Sequence, residues 1–284
     1  MNDLIPRHVR RQLAALRKGA EAESPPLSPP PLQGEGAGGE APAPRRVLIL
    51  PAAETLPALL EVESESGACG SFRLRPEEAH PELREWLARA AKELGQVPAG
   101  AGAPHGALYL DLETLGFTGC PLFLVGMLHA GAEGFHVHQF LARDYSEEAA
   151  VLEVCRPLLE QAQCLVTYNG RTFDWPFLTS RYRYWRQPPP AAPPHLDLLP
   201  LARRLYGGPP NCSVGRLPNC SLGTVEEHVL GIERRGDVPG SAIPDLYHRA
   251  VAEEDLQILA PVLYHNQVDL LSLACLAGRW AEHL

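Results

Sequence analysis

The chain has 284 residues, 45% of them hydrophobic and 21% charged, and a formal net charge of -9 at pH 7. That length holds one large domain or two small ones. The acidic balance excludes a uniformly basic coat for nucleic acid, though not a local basic groove, and no apolar run reaches the ~18 residues needed to cross a bilayer. The N-terminus, MNDLIPRHVRRQLAALRKGA, lacks the apolar core and small-residue cleavage site of a secretory signal. Seven cysteines, scattered without CxxC spacing, make a poor disulfide framework. The expected compartment is therefore the reducing cytoplasm. Cys212, Cys220 and His228 are spaced too widely and irregularly to favour a zinc site over ordinary loop and core positions.

In chain order, residues 1–22 read as a short basic amphipathic helix, with Leu4, Val9, Leu13 and Leu16 at roughly helical spacing. Residues 23–45 are dominated by proline and glycine and read as a disordered linker. Residues 46–100 suggest two strand regions, RRVLILP and ALLEVESESGACGSFRLRP. A helix, PELREWLARAAKEL, follows, and together these form a small α+β extension packed on the main domain. The main domain is expected over 105–284. ALYLDLET, PLFLVGMLHA and EGFHVHQFLA are three successive strands, the last two joined tightly enough for a hairpin. SEEAAVLEVCRPLLEQA is a helix with Ser146 as its candidate N-cap. QCLVTYN is a fourth strand, and FDWPFLTSRYRYW a helix with Pro176 in its first turn. HLDLLPLARRLYG is a further helix, and the last helix runs from about Pro261 to Trp280. Three strands in succession, then helices around one more strand, predict an α/β fold with a mixed sheet flanked by helices.

The chemistry concentrates in three stretches. In LYLDLETLGF, Asp111 and Glu113 are two apart on a strand and so share a face, with Leu110 and Leu112 on the other. Adjacent anionic groups need a shared proton, an arginine or a divalent cation, unless the strand end simply reaches solvent. In VTYNGRTFDWPFL, Asp174 falls in the first turn of a helix, where the macrodipole favours an acid by about 0.3–1 kcal/mol without any function. In VLYHNQVDLLSLACLAGRW, His265 and Asp269 stand at i and i+4 on a helix that is apolar nearly all round, with Tyr264 one position earlier. A satisfied His–Asp hydrogen bond in the core accounts for that pair as well as a catalytic role does.

Taken together the three stretches are more specific. D-x-E on a strand, a later N-x-x-x-F-D, and a last helix with an aromatic four or five residues before Asp resemble the DEDD superfamily of DnaQ-type 3′–5′ exonucleases. SLGTVEEHVLGIERRGDVPGSAIPDLY followed by HNQVDLLSLACL resembles the YprB-like ribonuclease H-like domain family. The resemblance covers about residues 105–283 and implies a ribonuclease H-like fold with four acids converging at one end of the sheet. It assigns Asp111 and Glu113 to the first motif, Asp174 to the second and Asp269 to the third. It also implies two Mg²⁺ or Mn²⁺ ions. Asp111 would bridge them, Glu113 and Asp269 would complete one site, and Asp174 would help hold the other. The family's general base is a His five, or a Tyr four, residues before the last Asp. Here Tyr264 and His265 stand at minus five and minus four, the reverse of both patterns. His265 is favoured, because i,i+4 gives the better shared face and imidazole suits proton transfer near neutral pH. Asn169 and Phe173 match motif positions and are expected at the substrate end, with Tyr264 beside them. Asp197 reads as a helix cap or a supporting group.

The expected partner is nucleic acid, as a single-stranded 3′ end. SRYRYWRQ interleaves arginine with aromatics, so Arg181 and Tyr184 are candidate substrate contacts, although an amphipathic helix with half its aromatics in the core fits equally well. Two other readings compete. A haloacid-dehalogenase-type phosphatase would need a second Asp where Glu113 stands and a later lysine, and Lys92 is the last lysine. A non-catalytic nucleic-acid-binding module on a degenerate nuclease fold predicts loss of at least one of the four acids, and all four are present.

Overall fold

In the computed structural model the described residues are 46–49, 59–74, 106–117, 119–131, 134–207 and 217–283. The expected basic helix at 1–22, the linker at 23–45, the helix at 81–94 and Cys212 lie outside these or at their edge. The strands are β1 (Arg46–Ile49), β2 (Leu60–Ser64), β3 (Gly67–Leu74), β4 (Ala107–Thr114), β5 (Leu122–Gly131), β6 (Gly134–Leu141), β7 (Cys164–Thr167), β8 (His195–Asp197) and β9 (Ile232–Arg235). The helices are α1 (Glu148–Gln161), α2 (Asp174–Tyr184), α3 (Leu198–Tyr206), α4 (Leu222–Val225, continued by a π turn over Glu226–Leu230), α5 (Ile243–Glu253) and α6 (Ala260–Arg279).

Seven strands form one mixed sheet in the order β2-β3-β6-β5-β4-β7-β8. The pairs from β2 through to β4 are antiparallel, while β7 and β8 add in parallel on the other side of β4. This is the mixed sheet with flanking helices that the sequence predicts. The β2–β3 hairpin continues the sheet through β3–β6 pairing rather than packing against it as a separate extension. The expected helix from His195 starts three residues later. His195–Asp197 instead pairs with β7, which gives backbone partners to a strand that otherwise ends the sheet. Ser146 does not cap α1; its hydroxyl and N–H both donate to Asp144.

Strand alternation sets up two cores, one on each face. Leu108, Leu110 and Leu112 pack with α1, α2 and α5, whereas Tyr109, on the face of Asp111 and Glu113, packs with α3 and the body of α6. From Val268 onward the apolar residues of α6 thus cover the sheet face that carries the acids, and its polar stretch, Tyr264 to Asp269, crosses the end of β4. There the ladder also breaks: the β4–β5 register shifts between Glu113 and Thr114. Such an irregularity re-aims side chains at a strand end.

Candidate metal and nuclease site

β4 delivers Asp111 and Glu113, the turn after β7 delivers Asp174, and α6 delivers His265 and Asp269. The β7–α2 turn is tight. Asn169 adopts a left-handed conformation (φ 68°), and its carbonyl accepts from the N–H groups of Thr172 and Phe173. Asp197 secures that turn from below. Its carboxylate accepts from the backbone N–H groups of Asn169 (2.7 Å), Arg171 (3.1 Å) and Leu199 (3.1 Å), so it caps α3 and ties the turn at once. Asp174, only 7% exposed, is thereby held at the start of α2.

The acids are electrostatic neighbours. Burial, then repulsion from Asp269, Glu113 and Asp174, holds the Asp111 carboxyl well above the usual range. Burial likewise pushes Glu113 up to about 8, with Asp269, Asp174 and Asp237 adding to the shift and His265 opposing it. Asp174 is raised to about 7 by burial, and by Asp197 and Asp269, against hydrogen bonds from the backbone of Asp174 itself and of Leu112. Among the described residues no arginine or lysine makes an ion pair with Asp111, Glu113 or Asp174.

A buried amide network orients Asp111. Asn266 donates to its Oδ2 (2.7 Å) and accepts from Gln139 (2.8 Å), whose own carbonyl accepts from Gln267 (2.8 Å). Gln139 also donates to the Leu263 carbonyl (2.8 Å). The network needs a glycine opposite it: a Cβ on Gly126, the β5 residue paired with Asp111, would lie 2.1 Å from the Asn266 side-chain oxygen.

The α6 side of the site has cations of its own. Arg234, on β9, donates through Nη2 to Asp269 (2.5 Å) and to Glu226, and through Nη1 to Asp237 (3.0 Å). His265 donates from Nδ1 to Asp237 (2.8 Å), while its Nε2 stands 3.6 Å from Asp269. Burial opposes charge on this ring, but the bond to Asp237 and the nearby Asp269 and Glu113 raise it to about 9. A cleft of ≈ 510 Å³, walled by Leu222, Ile232, Val238 and Pro239, opens onto His265 and Asp269.

The remaining sequence candidates separate. Tyr264 packs against the core on the α6 side, and Phe173 against the other core beside Phe177. Tyr184 is half exposed on α2, with the Arg181 guanidinium beneath its ring at 4.2 Å. Arg181 itself is a correction. It is 4% exposed and bidentate to Glu148, itself buried, so its charge is used inside the fold and cannot meet a phosphate. Helical phase could have revealed this, because Phe177, Leu178, Arg181 and Tyr182 form one inward face. Sequence reasoning missed Arg234, Asp237, Glu226 and Asn266. Only Asn266 carried a signal, as a polar residue facing the sheet from an apolar helix.

The family model described as RNase_H superfamily matches residues 108–281. The chain belongs to the RNase H superfamily. It is 35% identical over 173 residues to a protein of Bacillus subtilis (strain 168) described as uncharacterized protein YprB, a match covering 59% of this chain and 40% of that protein. The chain thus spans less than half of that relative. Among solved structures it is similar to a family B DNA polymerase from the hyperthermophilic archaeon Pyrobaculum calidifontis, at 15% identity and a TM-score of 0.40, over 62% of this chain and 27% of the polymerase. That likeness is too slight to bear on function.

The donor set of this RNase H-like site suits a divalent cation. Asp111 and Glu113, half-buried, and Asp174, buried, offer hard and mutually repelling carboxylate oxygens, which is the chemistry Mg²⁺ and Mn²⁺ select. Among the described residues no three acidic, His or Cys groups are spaced to hold one ion by themselves. Mg²⁺ does not require that, since it is usually held by one or two carboxylates together with water and substrate phosphate.

Proposed function

We propose that this protein is a divalent-metal-dependent nuclease that hydrolyses nucleic-acid phosphodiester bonds, acting as a 3′–5′ exonuclease on single-stranded ends in the cytoplasm. The observation that carries the reading is the crowding of Asp111, Glu113 and Asp174 with one another and Asp269, with no arginine or lysine paired to the first three among the described residues. Two Mg²⁺ or Mn²⁺ ions, when bound, would stabilise charge on the attacking and leaving oxygens. Asp111, Glu113, Asp174 and Asp269 are the residues to hold them.

The rest of the chemistry falls to this chain's own groups. Asn266 and its amide partners keep Asp111 aimed at the cluster. His265, on the cleft, is the group placed to take the proton of the attacking water. Besides Asp237, the charges that keep a proton on its ring include Asp269 and Glu113, two of the acids a bound cation would neutralise. Tyr184 and Phe117, the latter 86% exposed on the turn just after β4, offer aromatic faces for unpaired bases. Asn169, exposed at the β7–α2 turn, Phe173 and Tyr264 are the remaining candidates for contact with the substrate end.

The test is incubation of the purified protein with end-labelled single-stranded DNA and RNA in Mg²⁺, Mn²⁺ or EDTA, beside Asp111→Ala. A ladder shortening from the 3′ end, absent in EDTA and in the variant, is the expected result. Internal cuts would make the protein an endonuclease. Equal cleavage by wild type and variant would defeat the assignment. The hold of Arg234 on Asp269 favours one competing reading, a non-catalytic nucleic-acid-binding protein, which predicts binding without cleavage under every metal condition.

A further inference from the structure

His265 is held by a residue outside all three motifs. Both oxygens of Asp237 lie within 2.8 and 2.9 Å of its Nδ1. Asp237 is itself fixed twice more: Arg234 donates to its Oδ2 at 3.0 Å and the Val238 N–H to its Oδ1 at 2.8 Å. The far side of the ring is less engaged. Nε2 is 3.6 Å from Asp269, beyond a good hydrogen bond, and both residues line the cleft. An imidazole whose Nδ1–H is committed to a carboxylate presents its lone pair at Nε2, the form that can accept a proton.

We propose that Asp237 is a positioning residue for the hydrolysis described above: by accepting the Nδ1 hydrogen bond of His265 it fixes the tautomer and aims Nε2 toward the cleft, where an attacking water would stand. The proposal rests on the nuclease reading for its kinetic consequence only. In the step served, a water O–H bond breaks and its proton goes to Nε2. The water oxygen bonds to phosphorus. The bond from phosphorus to the 3′-oxygen of the preceding nucleotide breaks, and that oxygen takes a proton from solvent. Neutralising Arg234 does not account for Asp237, since Glu226 and Asp269 already pair with that guanidinium. What Asp237 adds is the bond to the ring. Arg234 then links the two halves of the device, because the same guanidinium holds Asp237 and Asp269.

Two measurements test this, one independent of turnover. In protein labelled with ¹⁵N-histidine, at a pH where the ring is neutral, His265 is expected to carry its proton on Nδ1 in the wild type, with that preference lost in Asp237→Asn. A proton on Nε2 in the wild type, or the same tautomer in both proteins, overturns the proposal even if no nucleic acid is ever cleaved. In the kinetic arm, Asp237→Asn is expected to lower kcat by roughly 10²–10⁴-fold, the range for a general base. KM and calorimetric Mn²⁺ affinity should stay near wild-type values, and Asp237→Glu should recover part of kcat. An unchanged kcat, or a loss that merely tracks lost Mn²⁺ binding, would make Asp237 structural and overturn the assignment. If wild type cleaves nothing, the nuclease reading fails and the tautomer measurement still decides the fate of Asp237.

Discussion

The acid cluster has two unlike halves. On β4 and α2, Asp111, Glu113 and Asp174 face one another with amides and backbone for company, and all three are pushed toward the protonated form. On α6 and β9, Asp269, Asp237 and Glu226 surround Arg234, with His265 beside two of them. The second half is balanced by its own cations; in the first only Glu113 feels one, His265, and the rest is left to protons or to something that binds. Desolvated like charges cost stability unless paired, so the unpaired half is the one whose stability a bound cation would raise.

The sharpest way to break this contrast is Asp111→Asn. Activity should fall by roughly 10²–10³-fold, as for loss of one preorganised electrostatic group. In EDTA at pH 8 the same variant should melt higher than wild type, by roughly 2–4 °C for about 1 kcal/mol. A lower melting point would mean that Asp111 is not under repulsion. Next comes Arg234→Met, which makes the balanced half resemble the other. Removing one partner of a buried ion pair costs about 3–5 kcal/mol, read as a loss in urea unfolding free energy. Saturating Mn²⁺ should then stabilise this variant more than it stabilises wild type. Gly126→Ala forces its new methyl against Asn266 and should cost about 1–3 kcal/mol through overpacking, with reduced activity because Asp111 loses its orienting amide.

The pH dependence of stability tests the same half. Glu113 (about 8) and Asp174 (about 7) bind their protons more tightly folded than unfolded, where carboxyls titrate near 4. Their stabilising contribution is whole below about pH 4 and is lost as pH rises through 7–8. His265, raised to about 9, acts in the same sense: its contribution is whole below about 6.5 and lost through 9. Melting temperatures in EDTA should therefore fall between pH 5 and 9, and Mg²⁺ should flatten the decline. A rise over that range would contradict the unpaired state of the β4 half.

The legible parts were those with a local period. Alternation in ALYLDLET placed Asp111 and Glu113 on one face, and helical spacing placed His265 with Asp269; the structure keeps both. The illegible parts depend on closure between distant segments. Arg234 and Asp237 sit in a charge-rich stretch with no clear period, and nothing there indicates that Asp269, 35 residues on, will meet the guanidinium. Arg181 was misread for the opposite reason. Its basic, aromatic neighbourhood suggested a substrate strand, but Glu148, 33 residues earlier, claims it. The β2–β3 hairpin looked like an appendage because strand order is set by long-range pairing, which local pattern does not encode.

The pairing of β1 with β9 bears on where this protein can be cut. β9 carries Arg234, whose partner across the ladder is Leu48 on β1. The hairpin β2–β3 likewise shields the outer side of β6. A fragment trimmed to residues 108–281 would strip both, leaving two raw strand borders open to adventitious pairing with other chains. Expression boundaries should accordingly begin upstream of Arg46, and clumping of the shorter piece would report its missing neighbours rather than a faulty catalytic centre.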